Sequence, residues 1–148
     1  MTTLHIITPV SRPQNVPALA QSIKAATVPE ISVEWWLVYD APALPSELPQ
    51  TTCHFLAVPS KVDGKTVSVA GNGQRNAALD KITDGWVYFL DDDTTLNPRL
   101  IKAVAPMLLG IPGCNIVVNQ NWPDGNRRCT IGPERMCQGQ VDTGQVVL

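Results

Sequence analysis

Five consecutive apolar residues, Trp86-Val87-Tyr88-Phe89-Leu90, run straight into three aspartates, Asp91-Asp92-Asp93. A short apolar run with a polar stop reads as a buried strand, the strongest in this chain. Its carboxyl end therefore carries three adjacent carboxylates, which repel one another unless a cation or hydrogen-bond donors compensate them. The chain must bury the strand and still leave its acidic mouth open to solvent.

Other segments supply the cover. Leu4–Ile7 is a short apolar run closed by Thr8-Pro9, and Val16–Ala26 places Val16, Leu19, Ala20, Ile23 and Ala26 at helical spacing. Val33–Tyr39 reads as a second strand ending at Asp40, and His54–Val58 as a weaker third. Lys61–Gly73 lacks a period and is expected to be a loop. Gln74–Lys81 reads as a helix with Ala77, Ala78 and Ile82 inward, and Pro98–Leu109 as another with Pro98 in its first turn. Cys114–Asn119 and Val146–Leu148 are expected strands. Alternating strands and helices predict an α/β fold with a mainly parallel sheet flanked by helices on both faces. In such sheets ligands bind beyond the carboxyl ends of the strands. Thr8, Asp40 and Asp91–Asp93 should then converge on one crevice.

A chain of 148 residues, 44% hydrophobic and 16% charged with net charge −2, fits one domain and has no basic run for a nucleic-acid surface. No apolar stretch reaches the roughly 20 residues of a membrane helix, and no signal peptide is evident, so a cytoplasmic location is the default expectation. Cys53, Cys114, Cys129 and Cys137 lack the paired spacing of a zinc site and read as reduced thiols, or as a disulfide should the protein be exported.

Hard divalent ions take oxygen ligands, often one or two carboxylates together with a diphosphate. Asp91 and Asp93 are alternate positions that share a side in an extended chain, so they are the expected metal ligands. An acidic turn capping the next helix is the plainer reading. A haloacid-dehalogenase-type phosphatase, with Asp91 as nucleophile and Asp93 as acid and base, also fits Asp91-x-Asp93-x-Thr95. That family needs a downstream lysine and a further acidic pair, and beyond Lys102 there is no lysine.

The run Gly73-Gln74-Arg75-Asn76-Ala77-Ala78-Leu79-Asp80, followed by Gly85–Leu96 with its VYFLDDD core, resembles GT-A glycosyltransferases. It is most similar to the glucuronyltransferases that build proteoglycan linkers and, more loosely, to family 2 transferases. Ile7–Pro13 (ITPVSRP) and Trp35–Asp40 (WWLVYD) resemble the start of the same families, so residues 4 to 105 follow one order. The resemblance implies a Rossmann-like nucleotide-sugar-binding domain over residues 1–148, a UDP-sugar donor, an unknown acceptor, and manganese or magnesium. It places Thr8, Pro9 and Val10 against uracil and ribose, Asp40 on the base N–H, and Arg75 on a base oxygen or phosphate. Asp92 or Asp91 would hold the ribose, and Asp93 would ligate the ion. Arg12, grouped with these residues, is either a phosphate contact or a surface residue.

Bland alternatives stand beside these roles. Arg75 also fits a helix-surface arginine near Asp80, Asp40 a strand end, His5 a buried hydrogen-bonded histidine, and Lys61 and Lys65 solvated loop residues. The resembling families continue well past their aspartates, whereas 55 residues follow Asp93 here, a short C-terminal half. An inverting transfer needs a base for the acceptor hydroxyl. Among Asp124, Glu134 and Asp142, Asp142 is the preferred catalytic residue, because polar groups gather around it between apolar residues; a turn aspartate is the alternative. Trp122 and Asn121 offer a sugar platform or a core tryptophan. A binding module that no longer transfers sugar is the second functional reading.

Overall fold

The structure is a computed structural model that describes residues 1–49, 53–110, 116–117 and 146–147. Four parallel strands form its centre: β1 (Thr2–Val10), β2 (Ile31–Tyr39), β3 (His54–Ala57) and β6 (Trp86–Phe89). Two short strands precede β6, β4 (Lys61–Val62) and β5 (Lys65–Thr66), and pair only with each other. Two more, β7 (Ile116–Val117) and β8 (Val146–Val147), extend the sheet, giving the order β3-β2-β1-β6-β8-β7 with β8 antiparallel to both neighbours. The result is a Rossmann-like α/β fold.

Alternation along the strands sorts two cores. Leu4, Ile6, Val10, Trp35, Leu37, Tyr39, Tyr88 and Leu90 face α1 (Val16–Ala26) and α3 (Leu100–Gly110). Ile7, Trp36, Val38, Val87 and Phe89 face Ala78 of α2 (Asn72–Leu79) on the other side. Helix α1 has the boundaries its periodicity predicts, with Val16, Leu19, Ile23 and Ala26 buried. It stops where Thr27 donates its hydroxyl back to Ile23 O at 2.9 Å, just before Pro29. Helix α3 begins at Leu100, two residues after Pro98, and contains Pro106, which leaves one backbone bond of the helix unmade.

Several boundaries differ from expectation. The segment expected to be an aperiodic loop contains the β4–β5 hairpin. Asp63 and Gly64 adopt φ of 48° and 74° there, the left-handed pair that a type I′ turn requires. Strand β1 runs on through Pro9 to Val10, where Asp40 N–H still donates to Val10 O at 2.9 Å. Its other edge behaves differently. Leu90 N–H donates to Ile7 O at 3.0 Å, and the next donor position on that edge is Pro9, which has no N–H. The β1–β6 ladder therefore stops while the β1–β2 ladder continues, and the two central strands part. This parting lies where the strand order reverses, β1 to β2 to β3 on one side and β6 on the other, which is the place an open α/β sheet keeps for a ligand.

Candidate functional site

A crevice of about 540 Å³ opens at that parting, within the roughly 300–1,000 Å³ usual for small-molecule sites. The exit of β1 contributes Pro9, Val10, Ser11 and Arg12, and the end of β2 contributes Asp40. The loop before α2 and its first turn add Ser68, Ala70, Gly71, Gln74 and Arg75, and Asp91–Asp93 close the far wall. Of the residues expected there, Thr8 is the exception. It shares the α1/α3 face with Ile6 and Val10, is 0% exposed, and its hydroxyl accepts from Trp35 Nε1 at 2.9 Å. Thr8 belongs to the core, not to the crevice.

The three aspartates divide their work. Asp92 is 2% exposed and turns inward. Its Oδ2 accepts from Ser11 N–H at 2.7 Å, Ser11 Oγ at 3.0 Å and Arg12 N–H at 2.7 Å, while Oδ1 accepts from Arg12 Nε at 2.9 Å and Nη2 at 2.5 Å. Asn15 Nδ2 donates to its main-chain oxygen at 2.9 Å. Burial would raise this carboxyl's pKa, but the donors from Arg12 and Ser11 outweigh burial and hold it below the ordinary carboxylate value. The same pair raises the Arg12 guanidinium, chiefly through its hydrogen bond to Asp92. With five donors on two oxygens, Asp92 latches the end of β6 to the exit of β1.

Asp91 and Asp93 were expected to share one side of an extended strand. The strand ends at Phe89 instead, and both reach the crevice from a turn in which Thr94 N–H donates to Asp91 O at 3.1 Å. Asp91 meets Arg75 Nη2 at 2.6 Å, and Asp93, half exposed, meets Arg12 Nη2 at 3.0 Å. Asp91 also helps burial push the Tyr88 hydroxyl up to about 12, burial being the larger cause.

Arg75 is not a helix-surface arginine. It is 8% exposed, donates through Nη1 to Ala70 O, and lies 5.6 Å from the centroid of Phe89. Its Nε and the neighbouring Gln74 Oε1 are buried without a hydrogen-bond partner. The backbone bends to meet it, with Ala70 and Gly71 at φ of 52° and 73°. A Cβ on Gly71 would lie 2.9 Å from Pro9 Cβ and 3.3 Å from Arg75 Nη1, so only glycine lets this loop lie against β1. On the opposite wall Asp40 accepts from Ser60 N–H at 2.5 Å and Ser60 Oγ at 2.7 Å. Ser60 O in turn accepts from Val67 and Ser68 N–H, closing the base of the hairpin. Ser68 Oγ accepts from Gly73 N–H at 2.6 Å and starts α2.

Sequence reading passed over Ser11, Ser60, Ser68, Ala70 and Gln74. Only the Asp63-Gly64 pair carried a usable signal, that of the hairpin they flank. His5 is the buried histidine expected, within 3.0 Å of Asp84 O and accepting from Trp36 Nε1 at 3.2 Å. Asp142, Asp124, Glu134, Asn121, Trp122 and three cysteines lie outside the described residues.

The charges of the crevice decide what it admits. Four aspartates line it against two arginines, leaving two negative charges uncompensated. A bound cation would offset that excess toward an anionic ligand. Among the described residues no three acids, histidines or cysteines form a cage for a metal ion. The donor set fits the other mode, one or two carboxylates completed by phosphate oxygens and water. A phosphatase site fits less well, since Asp91 is tied to Arg75 and no lysine lines the crevice. Among the described residues no helix is long and apolar enough to cross a membrane.

No family model matches the sequence, and no curated protein does. Solved structures do. Residues 1–349 of S. aureus TarS superpose with a TM-score of 0.63 at 18% identity, over 85% of this chain and 37% of that one. The same protein in complex with UDP-GlcNAc gives 0.62 at 17% identity over 85% and 36%, and in complex with UDP 0.62 at 18% over 85% and 37%. The chain thus spans just over a third of the TarS chain it matches, and what it shares with TarS is the fold.

Proposed function

We propose that the crevice binds a UDP-sugar together with a divalent cation, and that the domain is the donor-binding part of a glycosyltransferase. One observation carries this reading. Pro9-Val10, Asp40, Arg75 and the aspartate triplet, which the motif resemblance assigns to a nucleotide-sugar, line a single crevice at the switch point of the sheet. The fold shared with a protein crystallised with UDP-GlcNAc and with UDP supports it.

On this reading Pro9 and Val10 lie under the base, and Asp40, already oriented by Ser60, accepts the uracil N–H. Asp91, held by Arg75, faces the ribose. Asp93, with Asp91 beside it, would hold manganese or magnesium. The ion, when bound, would neutralise charge developing on the diphosphate as the sugar departs. The acceptor oxygen attacks the anomeric carbon, the bond to the diphosphate breaks, and the acceptor's proton passes to a base, for which Asp142 is proposed.

Calorimetry with UDP tests the donor site. Binding with Mn²⁺ should fall at least about tenfold in chelator, because no cation would then offset the diphosphate and aspartate charges. Asp93→Ala should mimic the chelator, while Lys61→Ala, on the exposed hairpin, should change little. Equal affinity in both conditions would remove the metal. No binding of UDP under either would remove the site.

A second reading, nucleotide-sugar binding without transfer, has its own observation. All four carboxylates described in the crevice are engaged by arginine or serine, leaving none of them free as a base. Release of UDP from UDP-sugars separates the two readings.

A further inference from the structure

One guanidinium makes two unlike contacts at the mouth of the crevice. Arg12 grips Asp92 through Nε and Nη2, and the Asp92 side chain is only 3% exposed. The same Nη2 reaches Asp93 Oδ2 at 3.0 Å, where the side chains are 46% and 52% exposed. The first contact lies on a carboxylate that burial has stripped of water. Breaking it would strand a charge. The second is a solvent-screened pair, and such pairs hold only weakly. The other Asp93 oxygen has one weak partner, Thr94 Oγ1 at 3.5 Å. Arg12 is thus fixed on Asp92 and only lightly held on Asp93.

We propose that Arg12 is the resident counter-cation of Asp93, which it holds in the ligand-free protein and yields to the divalent ion. The Asp92 latch through Nε and Nη2 keeps the guanidinium in place throughout, so only the added contact from Nη2 to Asp93 is given up. The inference rests on the reading of Asp93 as a metal ligand. It goes beyond that reading in assigning Arg12 a competing role: the arginine weakens binding of the free ion, so that the ion binds well only with its diphosphate.

The test measures metal alone, without nucleotide and without turnover. Free Mn²⁺ is followed by its aquo-ion EPR signal in the wild-type protein and in Arg12→Gln, whose amide can still donate to Asp92. Loss of an exposed competing pair should tighten Mn²⁺ binding roughly twofold to fivefold. Unchanged or weaker binding by a folded Arg12→Gln protein overturns the proposal, because an arginine that merely positions Asp93 predicts weakening. A second measurement needs no variant. In wild-type protein titrated with Mg²⁺, the Arg12 Nη NMR signals should move while the Nε–H signal, held by Asp92, stays. Mg²⁺ binding with the Nη signals unmoved also overturns it. If neither ion binds even with UDP present, the metal reading of the site fails and the role of Arg12 fails with it. If both ions bind with UDP and Arg12→Gln leaves Mn²⁺ affinity as it was, only the role of Arg12 fails.

Discussion

Arg75, on α2, donates from Nη2 to Asp91 Oδ1 at 2.6 Å and so ties the helix to the mouth of β6. The arginine is buried between Ala70 O, Asp91 and the Phe89 ring. Arg75→Ala should therefore lower unfolding free energy by about 2 kcal/mol, the scale of a hydrogen bond to a charged group. Arg75→Lys should recover little, since an ammonium cannot reach Ala70 O and Asp91 in one fork. Urea denaturation checks this. A loss below about 0.5 kcal/mol, the range of ordinary surface changes, would make the pair incidental.

Asp40 has two duties that substitutions can separate. It holds Ser60, hence the base of the hairpin, and it is proposed to accept the uracil N–H. Asp40→Ala should weaken UDP by roughly 1.5–3 kcal/mol and narrow its preference over other nucleotides. Ser60→Ala removes only one donor to Asp40 and should leave that preference intact. Calorimetry with UDP and ADP on both variants decides. Selectivity unchanged in Asp40→Ala would move base recognition elsewhere.

The parts of this fold that were legible in the sequence are those where apolar spacing alone sets the outcome. Val16, Leu19, Ile23 and Ala26 define α1 to the residue, and the WVYFL run defines β6 to within one. Thr8, expected in the crevice, is turned to the core by its strand parity with Ile6 and Val10 and is 0% exposed there. What periodicity cannot show is polar burial. Gln74 and Arg75 are buried on α2 alongside Ala78, yet by type they read as its solvent face. Nor can spacing divide three identical aspartates. Asp92 is the latch because Ser11 and Arg12, some 80 residues earlier, present donors to it, and the turn after β6 then sends Asp91 and Asp93 to different arginines.

The proposed base is testable by substitution. Strand β8 runs antiparallel to β6, with Val147 opposite Tyr88, so Val146 lies toward the carboxyl end of β6, where the aspartates begin. Asp142 precedes Val146 by four residues, a reach of at most about 14 Å even for a fully extended chain. Asp142→Asn should cut sugar transfer by about 10²–10⁴-fold, the range for a general base, and leave UDP affinity nearly intact. A variant that transfers at the parent rate would take Asp142 out of catalysis. One that loses UDP binding would make it a donor-site or folding residue.

Asp92 should make the domain sensitive to acid. Its folded-state pKa is depressed: burial works to raise it, and the hydrogen bonds from Arg12 and Ser11 overcome that. A depressed carboxyl pKa contributes stability that is fully present above the unfolded value, about 3.9. That contribution is lost as pH falls from there through the lower folded value, where the unfolded chain binds the proton first. The melting temperature should therefore hold steady near neutrality and drop as pH descends below about 4. Asp92→Asn removes the titrating group, so its stability should be lower at neutral pH and flatter through the acid range. An amide also turns a donor toward donors, which adds a penalty of about 1–3 kcal/mol for the groups left unpaired. Thermal melts of both proteins between pH 7 and pH 3 measure the difference. Parallel curves for the two would assign the acid sensitivity to other carboxylates and reduce the Asp92 latch to packing.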